Sequence, residues 1–551
     1  MKIKFFLNNH FWILIFALSA LVVWPLFMPG YFSHHDNLQA MRIFEMRKCF
    51  ADFQIPCRWV PDMGYGNGYP LFNFYGPLSY YLGAVVSFIL GYIWSAKLLF
   101  FLPLVVGGLG MYLLGRELFG KIPGAVSAIL YLFAPYRALD SYVRGAVGES
   151  FALAIIPFVY YLYLRLIKTK EKKYFALAIV SMSLLLVSHN IMTLIFTPLI
   201  IIWVFFLLYR DKWNGLKIAI LSLGLAVGLS AFFILPAFLE KSLVQTEALT
   251  RNELDFRAQF VKVSQLFIDR SWNYSGSQPQ SANTISYQIG WPHWWLVVLS
   301  LVAVIFCKKR KDIALFTFYF LLFTFGVYMT HNKSSFIWEY IKILAYIQFP
   351  WRFLSVVILS SSLLGGYFIF IFKGKVRYLF AITFSLLAIL LNWQYFKPEH
   401  FYFNLTDKEL LSGQNFIDQQ KGALLDYLPK TALEPRELAP DAPYVVSGKA
   451  EIFDFINKSN RWTFKTDAVS ESKVEIPVFD FPGWTVFVNG KEVVHTNDNV
   501  LGRIGVTIPG GKSNVEGKFK NTPIRILGNT LTGLSFVLLV LIYAKGKKLF
   551  S

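Results

Sequence analysis

Three stretches of this chain carry residue types that do chemistry. In Ser33-His34-His35-Asp36-Asn37 an acid stands beside two imidazoles, just after an apolar run. In Tyr142-Val143-Arg144-Gly145-Ala146-Val147-Gly148-Glu149, preceded by Asp140, a guanidinium and two carboxylates lie where a helix is expected to begin. Gln348-Phe349-Pro350-Trp351-Arg352 places another arginine at the start of an apolar run. A carboxylate such as Asp36 can take a proton from a hydroxyl, and an arginine fork at the positive end of a helix suits phosphate oxygens. Arg144 and Arg352 are therefore candidate phosphate ligands, with Lys241 and Arg251 of the loop 240–290 as further contacts and Asp140 or Glu149 as a second acid. Plainer readings stand beside these: Glu149 as a capping acid, Arg144 as a snorkelling side chain, Arg352 as an interface anchor. His189, alone with Asn190 between two apolar runs, is more often structural than catalytic. His34, His35 and Asp36 also offer metal ligands, so a divalent cation stays open, although neighbours on one loop rarely converge on one ion.

The elements that position these residues are membrane spans. Hydrophobic residues make up 55% of the 551 positions, aromatics 18% and charged residues only 16%, more apolar than a soluble core requires. Runs of spanning length predict twelve helices, at roughly 10–28, 98–115, 122–138, 150–166, 174–188, 191–209, 216–236, 292–307, 313–330, 353–372, 376–394 and 525–544. A thirteenth run, 77–94, is read as a re-entrant or juxtamembrane helical hairpin, because a full crossing there would put the basic loop Arg165 to Lys173 on the outer side.

With that topology the loops at Lys2/Lys4, Arg116/Lys121, Arg165 to Lys173, Arg210/Lys212/Lys217, Lys308-Lys309-Arg310-Lys311, Lys373/Lys375/Arg377 and Lys545/Lys547/Lys548 share one side. They hold 22 of the 53 basic residues but only four of the 33 acids. The net charge of +20 is thus a topology signal, and it gives no ground for a nucleic-acid partner. Both termini are expected in the cytoplasm, the first run being retained as a span because no small-residue cleavage site follows it. Cys49 and Cys57 share the outer side, as a disulfide or as two free thiols.

Four longer segments then face outward: 29–76, Asp140 to Glu149, Glu240 to Gly290, and an insert of about 395–523. The first begins with a predicted amphipathic helix lying in the interface plane, Leu38, Met41, Ile43, Phe44 and Met46 alternating with Arg42, Glu45, Arg47 and Lys48. It then breaks into a shaped turn from Pro56 to Pro70, dense in proline, glycine and aromatics. The insert alternates as strands do, with Asn489-Gly490 as a type I′ hairpin turn, predicting a small sandwich or jelly roll.

Asp36, the run Gly64-Tyr65-Gly66-Asn67-Gly68-Tyr69-Pro70 leading to Phe74-Tyr75-Gly76-Pro77-Leu78, Tyr142 to Gly145, Leu229 to Phe233 with Pro236 and Glu240, Gln348 to Arg352, and Phe481-Pro482-Gly483-Trp484 closely resemble a bacterial family of pyruvoyl-tetrahydropterin synthase-related membrane proteins. The label implies no pterin chemistry here. The family looks like a branch of the GT-C membrane glycosyltransferases, near enzymes that decorate lipoteichoic acid and other envelope polymers. The resemblance implies a GT-C-like transmembrane module over 1–394, with outer loops 29–97 and 237–291. It further implies an extracytoplasmic β-rich accessory domain over 395–523, and a C-terminal anchor with a basic tail over 524–551. It implies a multi-pass protein of the bacterial cytoplasmic membrane with an extracytoplasmic active site. There a sugar would pass from a polyprenyl-phosphate donor to an envelope glycan, teichoic acid or lipid, with inversion. By the same resemblance Asp36 is the base, Asp140 matches a second acid with Glu149 its rival, and the arginines hold the leaving phosphate. His34, His35, His189, Tyr69 and Tyr75 are left as positioning residues. The rival classes are a transporter or flippase of lipid-linked sugars and a non-catalytic scaffold in envelope assembly. The sequence shows no pair of broken intramembrane helices in matching halves, which speaks against transport.

Overall fold

The computed structural model describes residues 2–306 and 312–545; the basic run Lys308-Lys309-Arg310-Lys311 and the tail residues Lys547 and Lys548 lie outside the described residues. Each of the twelve predicted spans falls in a helix, but not each helix is long enough to cross alone. Seven are long and apolar enough by themselves: Leu78–Phe119, Val147–Thr169, Asn190–Arg210, Ile313–Thr330, Pro350–Ile371, Gly374–Tyr395 and Pro523–Lys545. Two bent pairs reach that length only together, Lys121–Leu132 with Pro135–Arg144 at 46° and Leu216–Leu229 with Ala231–Leu239 at 70°. The helices Lys172–Leu186 and Trp291–Ile305 have 15 residues each, and such a helix reaches about 22 Å against a hydrocarbon layer of about 30 Å. Among the described residues seven helices, or up to nine if each bent pair is one span, are long and apolar enough to cross a membrane.

The stretch 77–94 forms the first part of the helix Leu78–Phe119, which breaks at Gly91, where φ is 74° and ψ −178°. Forty-two residues in one straight helix would run about 63 Å, twice the bilayer core. The break divides them into a loop-side arm and a spanning arm. The second arm has its own N-terminus, where the Asp407 carboxylate accepts from Tyr92 N at 2.7 Å and Ile93 N at 2.8 Å.

The first-loop helix, Gln39–Ala51, does not expose the polar face expected of it. Gln39, Arg42 and Glu45 are buried along with Met41, Ile43 and Met46, because the helix packs against Leu78–Phe119 and under the outer segments. Glu45 accepts from Asp62 N and Met63 N, both at 2.9 Å, and so fixes the turn that follows. Cys49 and Cys57 form a disulfide across the same turn, with Cα atoms 5.6 Å apart. Gly64, Gly66 and Gly68 all have positive φ. At Gly68 a Cβ would come within 2.7 Å of Trp59 Nε1, so the tight path of this loop requires glycine there.

That turn is the seat of the β-rich domain. A five-stranded sheet runs Ala450–Asn457, Arg461–Ala468, Gly511–Phe519, Trp484–Val488, Lys491–Val493 in spatial order, and a three-stranded sheet runs Tyr444–Ser447, Ser472–Phe479, Arg503–Ile508. Asn489 and Gly490 both take positive φ between paired strands, as a type I′ turn requires. Trp59 packs against Trp484, Phe481 and Phe519 at ring separations of 5.5, 6.2 and 5.5 Å, and Arg503 Nε donates to Asn67 Oδ1 at 2.7 Å. A short pairing of Tyr31–Phe32 with Phe401–Tyr402 ties the first loop to the start of the same segment.

The C-terminal helix Pro523–Lys545 is pinned by charge. Arg525 Nε meets Glu240 Oε2 at 3.0 Å with 0% and 2% of the side chains exposed, and Asn73 Nδ2 donates to the same oxygen at 2.8 Å. Glu240→Gln leaves Arg525 buried without a counter-charge, a change that typically costs about 3–5 kcal/mol. A lowered melting temperature of the detergent-solubilised protein, with looser protease protection of the C-terminal helix, is the expected outcome.

Candidate active site

The Asp36 loop is held by backbone. His35 N donates to Val143 O at 2.9 Å, Asp36 N to Arg144 O at 3.0 Å, and Gln39 Nε2 to Gly145 O at 2.8 Å. Two segments more than a hundred residues apart in sequence are thereby laid edge to edge. Gly145 makes this approach tolerable: its φ is +68°, and a Cβ there would collide with the His34 ring.

Asp36 itself faces Arg42. The Arg42 Nη1 lies 2.6 Å from Asp36 Oδ2, and the Tyr75 and Tyr80 hydroxyls accept from the same nitrogen at 3.4 Å. The guanidinium also sits 4.6 Å over the Tyr75 ring. Burial works against the Arg42 charge, yet Asp36, Tyr75 and Tyr80 together hold its pKa above the ordinary value. Only 3% of the Arg42 side chain is exposed against 31% for Asp36, so the arginine is a foundation and the acid looks into open space. Among the described residues no hydrogen bond reaches Asp36 Oδ1.

Next to this pair lies a second cluster, at the start of Val147–Thr169. Asp140 and Arg144 belong to a π-helical turn, Leu139–Arg144, that ends at Gly145, a geometry that recurs where side chains must be re-aimed. Arg144 binds Asp140 and, at 2.8 Å, Glu149, and lies 4.7 Å over the Trp351 ring. Tyr136 donates its hydroxyl to Glu149. Arg352 Nη1 donates to Ile347 O at 2.7 Å and Gln348 Oε1 at 3.1 Å, with its Nε 3.6 Å from Glu149. Gln348 holds this contact from a strained backbone, φ 65° and ψ −50°. Asp140 and Glu149 retain 1% and 0% of their side-chain surface. They are sealed in and act on the arginines; of the three candidate acids Asp36 alone is open.

The remaining expected residues scatter around this frame. His189 caps Asn190–Arg210, its Nδ1 accepting from Met192 N at 3.3 Å, and its ring packs beside Gly148. His34 turns inward to Tyr31 Oη at 3.2 Å and packs on Phe32 and Phe100; burial lowers its pKa to about 4 in spite of Asp36, so the ring stays neutral at ordinary pH. His35 turns the other way, to Tyr274 O at 2.8 Å. With Asp36 directed at Arg42, the three adjacent residues point in three directions, and among the described residues no group of three His, Cys, Asp or Glu is placed to hold a metal. Lys241 and Arg251 are exposed and make no contact with either cluster; Lys241 lies 5.0 Å over the Tyr346 ring instead. Tyr69 is buried, 3.5 Å from Ala423 O.

Two participants escaped the sequence reading. Arg42 was assigned to the polar face of a surface helix, although Gln39, Arg42 and Met46 at spacings of three and four share one face, a signal that this face meets something. Asp426 had no local signal at all. It ends the short helical turn Leu424–Asp426 of the outer segment, and Asp36 and Arg42 are its charged neighbours.

The bundle of apolar helices with a β-rich domain makes this a multi-pass membrane protein. A family model described as 6-pyruvoyl-tetrahydropterin synthase related domain, membrane protein, matches residues 72–397, more than half of the chain, and the chain belongs to that family. It is 24% identical over 241 residues to an uncharacterized protein of Lactococcus lactis subsp. cremoris, covering 42% of this chain and 39% of the relative. Among solved structures it is similar to arabinofuranosyltransferase AftD from mycobacteria, at 14% identity and TM-score 0.46 over 72% of this chain and 27% of that one. It is also similar to the oligosaccharyltransferase AglB from Archaeoglobus fulgidus in complex with an inhibitory peptide and a dolichol-phosphate, at 16% identity and TM-score 0.34 over 70% and 55%.

Gly145→Ala tests the junction between the clusters. Forcing a Cβ against His34 at a positive φ costs about 1–3 kcal/mol. The expected outcome is a lower melting temperature with faster hydrogen exchange across 33–37 and 143–146, while the β-rich domain is unaffected.

Proposed function

We propose that this protein is a membrane glycosyltransferase that moves a sugar from a polyprenyl-phosphate donor to an envelope glycan, teichoic acid or lipid, on the outer face of the bacterial cytoplasmic membrane. The observation that carries the reading is the contrast in exposure: Asp36 is open on one side and anchored by Arg42 on the other, while the acids beside it are sealed against arginines.

In this reading Asp36 Oδ2 is held by Arg42 and Oδ1 takes the proton of the acceptor hydroxyl. The acceptor oxygen forms its bond to the anomeric carbon from the face opposite the phosphate, the carbon–oxygen bond to phosphate breaks, and the electron pair leaves with the phosphate. The configuration inverts. Phosphate is already a good leaving group, so it needs positive charge rather than a proton. Arg144 is neutralised by two carboxylates. Arg352 has mostly neutral partners and only a longer contact to Glu149, so it keeps charge to offer. Arg352 is thus the main phosphate ligand, with Arg144 beside it as the charge that fixes Glu149. The disulfide in the first loop agrees with an oxidising, outer location for this face.

Transport of a lipid-linked sugar draws on the two bent helix pairs, which the sequence did not lead us to expect. The break at Ser230, however, spends its hydroxyl on the carbonyls of Ser183 and Ala226 and carries no charged side chain, whereas the other pair leads into the turn of Asp140 and Arg144, whose charges pair with each other and with Glu149, so the two breaks do not form a matching substrate site.

Mass spectrometry of envelope polymers from cells with and without the gene tests the reading. Wild-type protein restores a sugar increment that Asp36→Asn, present in the membrane at equal amount, does not, a loss of roughly 10²–10⁴ in rate. Arg352→Ala lowers the apparent affinity for the lipid donor more than Arg144→Ala, read from the donor dependence in membrane vesicles. A well-expressed Asp36→Asn protein with full transfer sinks the assigned base.

A further inference from the structure

The outer segment between the last bundle helices and the β-rich domain folds back over the Asp36 pocket. Tyr65 N donates to Gln420 O at 2.9 Å, Gln420 Nε2 to Asp62 O at 3.1 Å, and the Tyr69 hydroxyl lies 3.5 Å from Ala423 O. Tyr427 stacks on Phe74, with ring centroids 5.6 Å apart and planes at 21°, and meets the edge of Tyr75 at 6.4 Å. Asp426 directly precedes Tyr427 in the chain, and Tyr69 and Tyr75 are its neighbours as well. Its carboxylate takes part in no hydrogen bond or ion pair among the described residues, although Arg42 and Asp36 are its charged neighbours. A partly exposed acid with no partner among the described residues, set beside two partly exposed tyrosine rings, offers a hydrogen-bond acceptor next to an apolar face.

We propose that Asp426, with Tyr75 and Tyr427, forms the acceptor subsite, its carboxylate accepting hydrogen bonds from hydroxyls of a sugar-bearing acceptor while the rings take an apolar sugar face. The subsite lies beside Asp36, so the acceptor is gripped at one hydroxyl group and deprotonated at another. This rests on the glycosyltransferase reading and adds to it which part of the chain selects the acceptor: the outer segment supplies the recognition carboxylate and the membrane module supplies the base.

The charge state of Asp426 gives the subsite a signature. Burial pushes its pKa up to about 6, against the pull of Arg42 and with a further push from Asp36. The groups facing it are Asp36, Arg42, Tyr69, Tyr75 and Tyr427. Burial raises all three tyrosines above their ordinary value, so they stay neutral over the same range. Above about pH 6 the carboxylate is ionised and accepts strong hydrogen bonds; as pH falls through that value it is protonated and the grip weakens.

The test uses the full-length protein in lipid nanodiscs with two probes, deproteinised envelope polysaccharide from a strain lacking the gene and undecaprenyl phosphate. Wild-type protein is expected to bind the polysaccharide roughly tenfold more weakly at about pH 5 than at about pH 7.5, one pH unit below the group's pKa being worth tenfold in its ionised fraction. Asp426→Asn is expected to bind it weakly at both pH values with the pH dependence gone, while undecaprenyl phosphate binds as before. Asp426→Glu should restore part of the affinity and bring the pH dependence back. The proposal is overturned if Asp426→Asn keeps wild-type polysaccharide affinity and pH dependence, if it loses both probes in parallel, or if wild-type protein binds undecaprenyl phosphate but not the polysaccharide. Wild-type protein that binds neither probe overturns the glycosyltransferase reading itself.

Discussion

A charge withdrawn from water at a membrane edge must find a partner, and the arrangement of this molecule follows from how it meets that demand. Arg42 answers Asp36, Arg144 answers Asp140 and Glu149, Arg352 leans on Glu149, and Arg525 answers Glu240. Two of these pairs join segments that the chain alone keeps apart: Glu240 and Arg525 close the C-terminal helix onto the bundle, and the contact of Arg352 with Glu149 draws the starts of two spans together. Removing one partner from such a pair is more damaging than replacing both by apolar groups, so the network constrains geometry even where it adds little net stability.

Pairing is not uniform, and the differences divide the labour. Asp140 and Glu149 are buried and paired, Asp140 through Oδ1 with Arg144 and Glu149 with Arg144 and Tyr136. Asp36 gives one oxygen to Arg42 and keeps the other free on an exposed side. Carboxylates thus stand here both as sealed scaffold and as an open group, and the environment makes the distinction. The three backbone and side-chain hydrogen bonds between 35–39 and 143–145 hold the two clusters in fixed register, so a small shift in either is felt by both.

The segment that precedes the β-rich domain packs onto the first loop. Its docking rests on aromatic contacts of Trp59 and Phe74 and on backbone hydrogen bonds to the glycine-rich turn. Those glycines at positive φ let the turn run close enough to Trp59 for the β-rich domain to seat on it. A loop that looks like punctuation in the sequence is the bearing on which one domain sits against the other.

The sequence by itself determined what hydrophobic periodicity and local turn chemistry determine: that the protein is a helical membrane protein, where its helices lie, that its insert is β-rich with a turn at Asn489-Gly490, and that Asp36, Arg144 and Arg352 are candidates for chemistry by residue type and placing. These are properties of short stretches, and short stretches are enough to express them. The number of crossings was less legible, because a helix of 15 residues and a bent pair look alike as apolar runs while differing in reach. Burial was decided only by tertiary structure. Arg42 reads as the polar side of a surface helix until the helix is seen pressed against Leu78–Phe119, and Asp426 reads as an ordinary loop acid until its segment folds back over Asp36. Whether a charge faces water, a partner or nothing depends on what the rest of the chain brings to it, and that information is not held in neighbouring residues.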